Sequence, residues 1–193
     1  MPHVDEQAKA WQLALAKRIG KAVYDLRRKY DLTAQALAQR TAELGYPISR
    51  VAISKIESNS RSGKVDVAEI VVLAAALHTS PVALIYPGPY DEKVESLPGA
   101  NDRQFDAVQW FSAESTEKTS RASHPSRART PEHSAVAIWY ENTEKIRLWR
   151  HLDSVMAMRT AVLTSEDEPD RQQIAFYDRQ IDALRTQLGI NRA

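Results

Sequence analysis

LRRKYDLTAQALAQRTAELGYPISRVAISKIESN, residues 26–59, is the stretch on which the fold turns. Asp31-Leu32-Thr33 ends a helix that runs over 5–30, and a threonine hydroxyl suits the free N–H groups of a new helix. Residues 34–44 then carry Leu37, Ala38 and Thr41 inward, and Gly45 follows where a helix C-terminus favours glycine. Tyr46-Pro47-Ile48 is a turn. Ser49 caps a third helix over 50–58, whose inward stripe is Ala52, Ile53 and Ile56. Asn59 stands where a left-handed residue is wanted, a conformation that asparagine tolerates. A polar loop fills 59–65.

Upstream, Leu13, Ile19, Val23 and Leu26 recur at helical spacing, with Trp11 and Ala16 on the flanks. Gly20 weakens that helix by ~1 kcal/mol relative to alanine, so a kink or break is expected there. Arg27, Arg28 and Lys29 fill its last turn, where cations suit the helix dipole. Downstream, Asp66 with Glu69 forms a capping box that opens a helix over 67–78, apolar nearly all round and therefore central. Ser80-Pro81 opens a short helix over 81–86 that stops at Pro87. Pro87, Gly88, Pro89, Pro98 and Gly99 mark 88–100 as a linker or an ordered crossover.

Beyond it, Asn101 is placed to cap a helix over 102–114 that presents Phe105, Val108 and Phe111 or Trp110. Residues 115–131 lack large apolar side chains and read as a mobile loop. A helix over 132–163 presents Ile138, Trp139, Ile146, Trp149, Leu152, Met156 and Val162. After a turn at 165–169, Ile174, Tyr177, Ile181, Leu184 and Leu188 form a heptad seam over 170–188. A short turn between two amphipathic helices predicts an antiparallel hairpin. The expectation is an all-α chain, with one domain over 1–87, a linker over 88–100 and a helical C-terminal domain over 101–193.

Composition narrows the function. A chain of 193 residues, 26% charged and 43% hydrophobic, holds one or two globular domains and is neither disordered nor collagen-like. The longest apolar run, 70–77, is too short for the roughly 20 residues that span a bilayer, and the polar start MPHVDEQAKAWQ is not that of a signal peptide. The absence of cysteine fits a reducing compartment, with a cytoplasmic location as the expectation. Net charge is only +1, but it alternates: +4 over 1–80, −4 over 81–120, +3 over 121–160 and −2 over 161–193. Such segments are commonly no more than solvated faces, although local charge governs attraction to a polyanion. Only one of the six glycines, Gly189, lies beyond residue 100, which disfavours a β-rich second half.

Nothing points to catalysis. His3, His78, His124, His133 and His151 have no paired metal-ligand spacing. There is no phosphate-binding loop and no nucleophile elbow. Glu166 and Glu168 fall in the turn, where carboxylates are ordinarily solvated. No enzyme activity, metal, cofactor or small-molecule ligand is expected.

Five helices in about 80 residues, with a capped turn between the second and third, make a helix-turn-helix arrangement. Leu26-Arg27, Leu32-Thr33, Leu37-Ala38, Ile53-Ser54-Lys55-Ile56-Glu57 and Leu73-Ala74-Ala76-Leu77 with Ser80-Pro81 resemble the lambda-repressor-like XRE family of DNA-binding domains over residues 10–87. The longer second helix with Glu43-Leu44-Gly45-Tyr46-Pro47-Ile48-Ser49 is similar to the actinobacterial and actinobacteriophage branch. The resemblance implies double-stranded operator DNA as partner. The physical reading agrees: a major groove about 12 Å wide admits one helix, and the third helix turns Arg50, Val51, Ser54 and Lys55 outward. Arg50 is suited to a guanine, Val51 to a thymine methyl, and Lys55 to a guanine or a phosphate. Thr33 and Ser49 stand at helix N-termini that suit phosphates, with Gln35 beside the first. Asn59, Arg61 and Lys64 are placed to grip the backbone. The family often has glutamine directly after the capping threonine, where this chain has Ala34, which weakens the expected phosphate contact there.

The second half admits three roles: a 174–188 seam that packs on its own chain, the favoured reading, or on a second copy as a dimerisation module; a second DNA contact; or binding of a protein as in an antitoxin. The second rests on a net +4 over 118–151, with Arg121, Arg127, Arg129, Lys145, Arg147 and Arg150 as candidate contacts. A DNA-binding module followed by a compact helical half resembles the mycobacteriophage immunity repressors. That implies maintenance of lysogeny in a bacterial host cell, at the nucleoid. The alternative is a host XRE regulator or antitoxin that forms a homodimer on a palindrome. There is no β-rich autoproteolytic domain of the lambda type, so no self-cleavage is expected.

Overall fold

The computed structural model describes residues 6–116, 135–165 and 170–190. The described chain is mostly helical, with one small antiparallel sheet. Its elements are α1 (Glu6–Lys29), α2 (Ala34–Glu43), α3 (Arg50–Glu57), α4 (Val67–Ala76), α5 (Pro81–Ile85), β1 (Lys93–Leu97), β2 (Ala100–Arg103), α6 (Gln104–Phe111), α7 (Ala135–Leu163) and α8 (Arg171–Leu188). They form two compact units, Met1–Ser112 and Ala113–Ala193.

In the first unit, local chemistry sets the helix starts. Thr33 Oγ1 accepts from Ala36 N at 3.0 Å and Ser49 Oγ from Ala52 N at 3.1 Å. Asp66 and Glu69 complete a capping box at the start of α4. The core of this unit is Val23, Leu37, Ile53, Ile56, Leu73, Ala74, Leu77 and Leu84, contributed by α1 to α5. Thr41 is fully buried, and its hydroxyl donates to Ala38 O at 2.7 Å and accepts from Ile48 N at 3.0 Å. A buried hydroxyl satisfied on both sides fixes the α2–α3 turn, because the alternative is an unpaired polar group in the core. Leu13, expected inward, is on the surface, while Ala16, Ile19, Ala22 and Val23 are buried.

Helix α1 is continuous through Gly20. The glycine serves packing: a Cβ built there lies 2.2 Å from Ile56 O and 3.3 Å from Glu57 Cα, both backbone atoms of α3. The glycine therefore lets α3 approach α1 more closely than any side chain would permit.

The expectation of an all-α chain with a linker over 88–100 is corrected. Residues 93–103 form a β-hairpin, Val94 pairs with Asp102, and the compact unit runs on through α6 to Ser112. Pro98-Gly99 supplies the turn, with Gly99 at φ 75, the geometry that proline followed by glycine favours. Trp11 Nε1 donates to Glu95 O at 3.2 Å, tying the hairpin to α1. Tyr86, Val94 and Ala107 form a small satellite core with Val82, Ile85 and Val108. Asn101 lies in β2 rather than capping a helix, and α6 starts at Gln104.

In the second unit α7 and α8 run antiparallel, since Arg159 near the end of α7 pairs with Asp178 near the start of α8 at 2.6 Å. Leu152, Val155, Ile181 and Leu184 form the seam, with Leu148, Tyr177, Leu188 and Ile190 against it. The expected α7 stripe is shifted by about a quarter-turn or more. Leu148 and Val155 pack, while Ile138, Ile146, Trp149 and Met156 are exposed. Asp170 caps α8 by accepting from Gln172 N at 2.8 Å, and Gly189 at φ 69 ends it.

Gly20→Ala is expected to destabilise the protein even though alanine is the better helix former by ~1 kcal/mol. Overpacking against immovable backbone costs about 1–3 kcal/mol. A lowered urea midpoint at unchanged slope checks this; an equal or raised midpoint removes the close approach from the account.

Candidate functional site

Helix α3 is two-faced. Ile53 and Ile56 are buried, whereas Arg50, Val51, Ser54 and Lys55 are all exposed. Val51 is 58% exposed, an apolar side chain held out in water by a helix whose inner face is fully committed. Eight residues are too few for a helix to persist alone, so its attitude is imposed from outside. Three contacts impose it: the Thr41-locked turn before it, the Gly20 approach behind it, and an ion pair at its end.

That ion pair is bidentate. Arg27 Nε meets Glu57 Oε1 at 2.7 Å and Nη2 meets Oε2 at 2.9 Å, with both side chains about nine-tenths buried. The third guanidinium nitrogen donates to Leu32 O at 2.7 Å, so the last turn of α1, the α1–α2 connection and the end of α3 share one cation. The Glu57 hydrogen bond raises the Arg27 pKa above its ordinary value, with burial opposing it. Sequence reasoning placed Arg27 as a dipole partner and within the Leu26-Arg27 motif, with no role in holding α3. No local pattern in the sequence marks its pairing with Glu57.

The start of α3 is chemically open. Ser49 Oγ is occupied as an acceptor, but its hydrogen remains available to donate, and the same holds for Thr33 at α2. The first-turn N–H groups of both helices have no intrahelical partner, and helix dipoles favour anions there. Thr33, Gln35 and Ser49 are exposed at these two starts.

The loop after α3 divides the remaining candidates. Asn59, at φ 52, donates from Nδ2 to Leu13 O at 3.1 Å, so it fastens the loop to α1. Arg61 Nη1 reaches both carboxylate oxygens of Glu69 at 2.7 Å, which ties the loop to the start of α4. Both therefore have structural work within the chain. Lys64 is exposed. Lys9 Nζ, which the sequence did not single out, donates to Ser62 O at 2.8 Å and holds the same loop.

In the second unit Lys145 is exposed, Arg147 stacks over the Tyr140 ring at 4.4 Å, and Arg150 Nη1 stands 2.9 Å from Glu114 Oε1, off the hydrogen-bond direction. A cavity of about 570 Å³ is lined by Glu114, Glu144, Arg147, Leu148, Arg150, His151 and Ser154. Two carboxylates in its lining temper the positive field expected from the sequence. Arg121, Arg127 and Arg129 lie outside the described residues. Among the described residues no cluster of His, Asp and Glu is arranged to hold a metal ion, and no helix is long and apolar enough to cross a membrane.

Comparison with protein-family models, with curated proteins and with solved structures found no match.

Removing one member of the Arg27–Glu57 pair is expected to cost about 3–5 kcal/mol, because the other charge is left buried and unpaired. Arg27→Met with Glu57→Leu should recover most of that loss. Urea unfolding of both single variants and the double variant measures the coupling; additive losses would show that the pair does not act as a unit.

Proposed function

We propose that this chain is a sequence-specific double-stranded DNA-binding repressor that reads the major groove with α3. The observation that carries the proposal is the outer face of α3. Arg50, Val51, Ser54 and Lys55 lie together on an exposed face, the helix start is capped and open to anions, and the inner face is fixed by the core. This combination offers a bidentate donor, a methyl-binding side chain and a phosphate-binding cation on one helix about as wide as the groove. The order of α1 to α5 and the side-chain caps of α2, α3 and α4 support a lambda-repressor-like, five-helix module of the XRE type. The residue pattern supports a phage immunity repressor acting on operator DNA in a bacterial cell.

In this proposal the second unit adds a further DNA contact through Lys145, Arg147 and Arg150, and Arg150 exchanges Glu114 for a phosphate on binding. A second reading has its own observation. Ile146, Trp149 and Met156 are exposed on α7, which favours a homodimer that recognises a palindrome, as in a host regulator or antitoxin.

One experiment addresses both. Binding sites are selected from random duplexes with the full chain, and affinity is then measured against salt. Arg50→Ala should cost about 1–3 kcal/mol and relax preference at one base pair. Changing Lys145, Arg147 and Arg150 together to alanine should weaken binding on all duplexes and reduce the salt slope by about 0.9 for each phosphate that is no longer neutralised. No binding to any duplex at low salt overturns the DNA proposal. A triple variant with the full salt slope, on a palindromic site occupied by two copies, favours the dimer.

A further inference from the structure

We infer that the second unit is half of an assembly, in which α7 packs antiparallel on α7 of a second copy of this chain along a stripe that α8 leaves open. The inference rests on the homodimer reading above and gives it an interface. Leu148, Leu152 and Val155 pack against α8. A second stripe runs through Asn142, Trp149, Met156 and Leu163, each seven residues from the next and each exposed. Seven-residue spacing is the period at which two helices stay in contact along their length. Ile138 and Ile146 flank this stripe and are 44% and 47% exposed.

The hairpin needs such a cover. Among its described residues only Leu152, Val155, Ile181 and Leu184 are buried. That core is small against the entropy of ordering helices of 29 and 18 residues. Ile138, Ile146, Trp149, Met156 and Leu163 together leave roughly 400 Å² of apolar surface, the size of patch that marks an interaction site. Asn142, Lys145, Asp153 and Thr160, all exposed beside them, extend it toward the ~800 Å² that each partner gives to a stable interface. An apolar centre with a polar rim is the anatomy of such interfaces.

A second copy fits because the stripe complements itself. Its four positions are symmetric about the point between Leu152 and Asp153. A second α7 laid antiparallel across that point sets Trp149 against Met156 of the second copy, and the twofold axis repeats the pair. An indole against a thioether is a favourable contact. The seam with α8 begins at Leu148, and this pairing lays the earlier part of α7, with Ile138 and Ile146, along the second half of its counterpart. At 100° per residue, Arg147 lies about 160° around α7 from Trp149. The contact therefore leaves Arg147 free for a different partner.

The test is sedimentation equilibrium of the full chain without DNA, over a range of concentrations. A monomer–dimer equilibrium is expected. W149E, a change at an exposed position, should weaken dimerisation about tenfold or more while helical content by circular dichroism is kept, and R50A should leave it unchanged. A second pair of variants does not depend on how W149E folds. The chain has no cysteine, so W149C and M156C mixed under mild oxidation should join as disulfide-linked dimers far more than either variant alone. The inference is overturned if the parent stays monomeric at every concentration, if folded W149E dimerises as the parent does, or if the mixed cysteine variants link no more than each does alone. A dimer that passes these tests and then occupies a non-palindromic site keeps this interface and removes only the palindrome from the homodimer reading.

Discussion

The pairing of Arg27 with Glu57 is the constraint on which the rest of the first unit depends. It joins the last turn of α1 to the last turn of α3 and, through Leu32 O, to the connection that leads into α2. A buried ion pair is weak evidence for net stability, because desolvation consumes much of the Coulomb gain. Its value here is geometric. A bidentate fork has a narrow angular range, so it fixes where an eight-residue helix ends. Gly20 makes that position reachable, since any side chain would collide with Ile56 O. The Thr41 hydroxyl fixes where α3 begins.

With both ends fixed, the two faces of α3 separate cleanly. The apolar face completes the core, and the polar face is left to solvent with no competing internal contact for Arg50 or Lys55 among the described residues. Arg61 and Asn59, which look equally available in sequence, also hold the following loop to α4 and α1. The contrast between committed and uncommitted polar groups narrows the candidate interface to the first turns of α2 and α3, the outer face of α3 and Lys64 in the loop that follows.

Much of this was legible in the sequence because helix caps act over two or three residues. Thr33, Ser49 and Asp66 each announce a helix start, and α2, α3 and α4 begin where these caps place them, while α5 begins at Pro81 without a side-chain cap. The β-hairpin was hidden because its alternation is not apolar. In β1 the inward positions are Val94 and Ser96, and Ser96 hydrogen-bonds to the buried Asp102 of β2. A hydrophobic pattern carried by one valine and a polar pair is invisible to period-2 reasoning. The α7 seam was misplaced for another reason. That helix has two adjacent apolar stripes, one through Leu148, Leu152 and Val155 and one through Ile146, Trp149 and Met156, and periodicity alone does not say which one α8 covers. Long-range pairs such as Arg27 with Glu57 carry no local signature at all.

The most direct measurement is amide chemical-shift mapping of the full chain titrated with a duplex selected by the protein itself. The account predicts the largest shifts at 33–35 and 49–55, with the far side of α1 around 14–25 unmoved. Shifts concentrated elsewhere, with 49–55 unchanged at saturation, would contradict the assignment of α3 as the reading element.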